Sequence, residues 1–193
     1  MASLDDWAIK TNGRGQVALL DTSETGVNET MEPLIDIEVE EDGWFDALPD
    51  VRDVVELGIS SALRAAGFKE QADIVVLLCS DDEMTSLNKA HRHKDAPTNV
   101  LSFPAPSSMR IKGMLAHLGD MALGLETCVR EASEQKKTVK NHVLHLSIHG
   151  ALHLLGYDHQ TDDEAEVMEA LERDILNHLG VADPYAGQDV PHA

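Results

Sequence analysis

The sequence predicts an α+β fold, a single domain in which a small mixed sheet of about four strands is packed with about five α-helices. Three observations predict it. Short apolar runs, one alternating (LIDIEV) and one continuous (DIVVLLC), have the character of strands. Longer segments carry apolar residues at helical spacing between capping and stop signals. The two kinds of segment mix without strict strand–helix–strand alternation, the pattern of α+β domains.

Taken in order, residues 1–30 lack sustained periodicity and are rich in Thr, Ser, Gly, Asn and acids, which predicts a disordered or loosely held leader. The domain then spans residues 31–180. Leu34–Val39 alternates apolar with acidic residues, as a half-buried strand does. Asp50 is placed to cap a helix over 51–66, with Val51, Val54, Val55, Ile59, Ala62 and Leu63 on one face and Gly67 as its stop. Residues 73–79 form an apolar, β-branched run that predicts an internal strand. Ser80 and Glu83 have capping-box spacing ahead of a helix through His91.

The prolines of NVLSFPAP close a short strand over 99–106, and a further strand is predicted over 118–125. A helix over 126–137 follows, and Thr138 caps another running to about Leu155. Thr161 and Glu164 repeat the capping-box pattern before Val167, Met168, Leu171, Ile175 and Leu179, with Gly180 as the stop. Residues 181–193, with Pro184 and Pro191, read as a flexible tail. No internal repeat is visible.

No apolar run approaches the length that spans a bilayer, so no membrane association is expected. Asp5 and Asp6 stand where a signal peptide would carry positive charge, which argues against export. Cys79 and Cys128 have neither metal-binding spacing nor a disulfide framework, as suits a reducing cytoplasm. The net charge of −20 argues at first against a polyanionic partner. Its distribution changes that: residues 89–159 hold nine Lys and Arg against six acids, together with eight of the ten histidines. A basic or metal-bearing face on an acidic body is compatible with this asymmetry.

The densest histidine motif is HGALHLLGYDH, from His149 to His159. On a helix, His149 and His153 lie about 40° apart around the axis and roughly 6 Å along it, so both can reach one ion. Were the helix to continue, His159 would lie roughly 15 Å beyond His149. The helix must stop, and Gly156 stands where glycine can adopt the left-handed conformation that turns the chain back. Three neutral imidazoles suit one zinc ion per chain and leave a fourth position open, which favours a catalytic over a structural site. The spacing equals that of the long metalloprotease signature, but Gly150 occupies the position of its general-base glutamate, so peptide hydrolysis by that route is doubtful.

His142 and His145 extend the stripe along the same helix. Two readings of them stand: they line a cleft, or His145 is a hydrogen-bonded packing residue and His142 a solvated one. Asp158 either orients a ligand imidazole or serves the turn. Upstream, LNKAHRHKDAPTNVLSFPAP (87–106) gathers Lys89, His91, Arg92, His93 and Lys94 before a strand, and Arg grips phosphate oxygens through two donors at once.

In combination, these two motifs, with LGD (118–120) and HLSIHG, resemble the YbeY family of bacterial metal-dependent endoribonucleases, over roughly residues 33–179. The resemblance implies zinc on His149, His153 and His159 and a functional arginine at Arg92. It further implies cleavage of single-stranded RNA in maturation of the 16S rRNA 3′ end and in ribosome quality control. Partners would be rRNA, the small ribosomal subunit and its assembly factors, with no DNA expected. Attack by water, hydroxide or a ribose 2′-hydroxyl would be aided by the ion, with Arg92 stabilising developing charge. Phe103 and Tyr157 are the aromatics near the motifs, so base-specific reading should be weak and backbone electrostatics dominant. Two alternatives stand beside the nuclease: a ribosome assembly factor with a mainly structural metal, and a metallopeptidase.

Overall fold

The computed structural model describes residues 8–12, 16–20, 33–106, 108 and 114–186 of the chain. Its main body is a four-stranded mixed sheet with six helices, five of them long and one a single short turn. The strands are β3 (Leu34–Val39), β4 (Ala72–Cys79), β5 (Val100–Pro104) and β6 (Ala116–Gly124), in the spatial order β3-β4-β6-β5. β4 lies parallel to both β3 and β6, and β5 pairs antiparallel with β6 at the edge. Its internal place explains its composition, since Ile74, Val76 and Leu78 are fully buried against the helices.

Ahead of this body, β1 (Ala8–Asn12) and β2 (Gln16–Leu20) pair antiparallel as a hairpin in the segment where no periodic element was expected. Strands of five residues present too few alternations to stand out in a polar segment. The remainder of the expected leader lies outside the described residues, as do residues 187–193 of the expected tail.

The long helices are α2 (Val51–Ala65), α3 (Asp81–Arg92), α4 (Leu125–Glu134), α5 (Val139–Leu155) and α6 (Asp162–His178). Their starts follow the capping signals unevenly. The Thr138 hydroxyl accepts from the Asn141 amide, and Thr161 and Glu164 complete a reciprocal capping box. Ser80 accepts from the Glu83 amide. Asp50, by contrast, makes no side-chain cap, and its carboxylate meets Lys140 at 2.6 Å instead. The helix not anticipated is α1 (Gly43–Ala47), whose Trp44 is fully buried and donates its indole N–H to the Cys79 carbonyl at 3.2 Å.

The helix that matters for function is α5. It packs between α2 and the sheet, and residues along most of its length are buried, from His142 to Leu154. A helix apolar nearly all round is a core helix. Its histidines are therefore read by what covers them. Two close approaches set its position: a Cβ at Gly58 of α2 would come within 2.8 Å of Ser147, and one at Gly150 within 2.4 Å of Met121. No helix among the described residues is long and apolar enough to cross a membrane.

Candidate metal centre

At its C-terminal end, α5 stops at Gly156, whose φ of 97° is left-handed. The reversed turn sends its own N–H back to the Leu152 and His153 carbonyls and brings residues 157–160 back beside the helix. His159 thereby joins His149 and His153. Each offers a ring nitrogen, and the three atoms lie within 4.8 Å of one another. The ring centroids are 4.6, 4.9 and 5.4 Å apart, close enough for the three to share one cation.

The outer partners of these rings decide which nitrogen faces inward. His149 Nδ1 lies 2.7 Å from the Glu172 carboxylate. His153 Nδ1 lies 3.0 Å from the Tyr157 carbonyl. Both partners can only accept, so both Nδ1 atoms carry the proton and both Nε2 atoms present lone pairs. Those two Nε2 atoms face each other at 3.1 Å. Two acceptors repel at that distance unless a cation sits against both. Burial, reinforced by the repulsion that a protonated His153 would meet from His149 and His159, pushes the His153 pKa down, which disfavours a proton as that cation. The donor set fits a metal ion: three imidazole nitrogens, two of them oriented by hydrogen bonds from behind.

Glu172 is the residue that sequence reasoning missed. It is fully buried on α6, between Leu171 and Ile175 on the core face. Its Oε1 receives His149, and its Oε2 receives His145 Nε2 at 2.9 Å and the Tyr185 hydroxyl. Burial alone would raise its pKa, but the hydrogen bonds from His145 and His149 outweigh it and hold the carboxyl at about 2. The signal was present, since an acid among Met168, Leu171, Ile175 and Leu176 stands on the apolar face of its helix. Its partner, however, lies on another helix.

The other singled-out residues sort by their partners. His145 takes the packing role, hydrogen-bonded to Glu172. His142 is not solvated: it is 2% exposed and donates to Glu131 Oε2 at 3.0 Å, because α4 lies over that end of the helix. Asp158 serves the turn, its two oxygens accepting from the His159 amide and from Gln160. Cys79 and Cys128 are buried, free and outside the centre, and burial pushes the Cys79 thiol up to about 12.

Arg92 stands at the end of α3, its guanidinium donating to the Ser102 carbonyl at 3.2 Å. His93, left-handed at φ 59°, ends that helix, and Asn88 braces the following loop through the Ala96 carbonyl at 2.7 Å. Arg92, Lys94, Ser102, His149, His153 and His159 all line one cleft of about 960 Å³. Among the described residues, Asp158 contributes the one carboxylate of its lining, an inversion of the acidic balance of the chain. Tyr157 is on the wall, whereas Phe103 packs edge-on to His91 at 4.9 Å. A metal-binding corner and an arginine thus open on a common space.

A family model described as Endoribonuclease YbeY matches residues 38–180. The Endoribonuclease YbeY of Chelativorans sp. (strain BNC1) is 51% identical over 136 residues, covering 70% of this chain and 83% of the relative. That of Bradyrhizobium sp. (strain BTAi1) is 45% identical over 161 residues, covering 81% and 95%. That of Azorhizobium caulinodans is 46% identical over 155 residues, covering 79% and 96%.

Proposed function

The chain belongs to the endoribonuclease YbeY family, and from that premise we propose that it is a zinc-dependent endoribonuclease that cuts single-stranded RNA in the cleft between α3 and the end of α5. The observation that carries the reading is the convergence of His149, His153 and His159 on one point of a cleft that also holds Arg92. Imidazole nitrogens favour zinc over magnesium or calcium, which prefer oxygen ligands. When bound there, such an ion supplies Lewis acidity, polarising a phosphoryl oxygen and making a nucleophile available near neutral pH.

The protein's own groups do the rest. Glu172 and the Tyr157 carbonyl hold the Nδ1 protons of His149 and His153, so that their Nε2 atoms stay available as ligands. Arg92 grips the oxygens of the scissile phosphate and offsets charge as it builds up in the transition state. Lys94 adds to the field that draws a polyanion into an acidic protein. With one aromatic on the wall, the cleft holds backbone rather than reading bases, and binding weakens steeply with salt. Action on rRNA, at the 16S 3′ end and in quality control with the small subunit and its assembly factors, extends the same reading. So does residence in the cytoplasm, which the two buried free thiols suit.

The peptidase alternative meets a steric objection. The glutamate it requires would stand at 150, where even a Cβ comes within 2.4 Å of Met121 and 3.1 Å of Ser102. The test is incubation of the protein with single-stranded RNA and, separately, with unfolded protein, with and without chelator, alongside His153→Ala and Arg92→Ala. Cleavage of RNA alone, lost with chelator and in both variants, is expected. Peptide cleavage would overturn the reading. So would an absence of all hydrolysis with small-subunit binding intact, the signature of an assembly factor with a structural metal.

A further inference from the structure

Residues 181–186 lie beyond the family match and leave α6 in a defined path. The Val181 amide donates to the Leu176 carbonyl at 2.8 Å. Pro184 is buried, and its carbonyl accepts from the Lys137 ammonium at 3.0 Å. The Asp183 carboxylate takes the Tyr185 amide at 2.9 Å, setting that residue in a turn. Tyr185 consequently points inward. Its ring meets that of His145 edge-on at 5.6 Å, Arg173 lies over it at 5.8 Å, and its hydroxyl donates to Glu172 Oε2.

We propose that Tyr185 is a positioning residue for the metal centre, acting through Glu172 on His149. The proposal rests on the metal reading above. A fully buried carboxylate has four lone-pair directions to satisfy, and its orientation follows the donors that satisfy them. Tyr185 and His145 both fall on Oε2. That leaves Oε1 to His149 alone, and fixes the plane of the carboxylate and hence of the imidazole. Take the hydroxyl away and Oε2 is held by His145 only. The carboxylate can then turn, and the His149 lone pair leaves the point it shares with His153 and His159. The strap from 181 to 186 is thus a brace for a ligand more than thirty positions earlier in the chain.

The test uses the full chain with Tyr185→Phe, which keeps the ring, and Lys137→Ala, which loosens the strap at Pro184. Zinc affinity is read by competition with a chromophoric chelator, and the thermal midpoint is read on metal-free protein. Tyr185→Phe is expected to weaken zinc binding about 10-fold, as loss of an indirect partner does, with the metal-free midpoint nearly unchanged. Lys137→Ala is expected to weaken it less. The downfield proton resonance of His149 Nδ1–H in metal-free protein should also shift or broaden in Tyr185→Phe. Unchanged affinity and an unchanged resonance overturn the proposal alone. Failure of the wild-type protein to bind zinc, with no difference from His153→Ala, overturns the metal reading and this proposal together.

Discussion

Helix α5 carries a histidine–carboxylate pair near each of its ends, and the two do different work. Near its start, His142 donates to Glu131, which also receives Asn99 Nδ2 at 2.8 Å. Near its end, His149 donates to Glu172. The pairs are chemically alike, and what separates them is the second ring nitrogen. In His142 it is buried with no hydrogen-bond partner among the described residues; in His149 it faces His153 across 3.1 Å at the edge of a cleft. A carboxylate behind an imidazole makes a site only where the other nitrogen has somewhere to act. The first pair ties α4 and the start of β5 to the core helix. The second aims a lone pair.

The sharpest test of that contrast is to delete a ring at each end. His153→Ala, at the open end, should lower zinc affinity by more than about 100-fold, beyond the range for indirect partners, and abolish RNA cleavage. Chelator competition and gel-based cleavage read both. His142→Ala should leave zinc affinity intact and cost about 2–3 kcal/mol of stability, from the cavity and the stranded Glu131, as denaturant unfolding would show. Equal loss of metal in the two variants would erase the distinction.

Arg92→Ala separates the cleft from the centre within the open end. RNA cleavage should fall roughly 100-fold or more while zinc affinity holds, because in the proposed reading the guanidinium holds phosphate and is not a ligand of the ion. Gly150→Ala probes the packing of the helix just beyond the second pair. Its methyl must displace the buried Met121 side chain, an overpacking cost of about 1–3 kcal/mol measurable by denaturant unfolding.

The smallest effect belongs to an exposed charged pair at the start of α5. Lys140 and Asp50 meet in the open, and the hydrogen bond from Lys140 holds the Asp50 pKa below its ordinary 3.8. A depressed carboxyl adds stability above its unfolded pKa and loses it as pH falls through the folded one. Lys140→Ala should thus lower the thermal midpoint slightly at neutral pH. The gap to wild type should close well below pH 3.8.

The same contrast shows how far sequence alone could reach. The return of His159 to His149 and His153 was legible because Gly156 and helical geometry are local. So were β3, β4 and the caps at Thr138 and Thr161. The partners behind the rings were not legible, since each lies on another element: Glu131 on α4, Glu172 on α6, Tyr185 beyond it. An acid in LERDIL looks solvated until α5 is laid against it. His142 was expected in water because nothing in its neighbourhood of sequence announces α4. Five residues of α1 are too few to display a period, and Trp44 earns its burial from a contact thirty-five positions away. Asp50 was read as a cap but is drawn to Lys140, ninety positions on.

The turn at Gly156 carries one more consequence. An added methyl there would touch nothing within 4 Å, so alanine is disfavoured by handedness and not by lack of room. The turn also aims the Tyr157 carbonyl that pins the outer proton of His153. If an L-residue relaxed the backbone toward the right-handed side, that carbonyl would swing away and the imidazole would be free to flip, offering the ion its protonated edge. The handedness of the backbone at one achiral α-carbon thereby sets which edge of a neighbouring ring the protein presents.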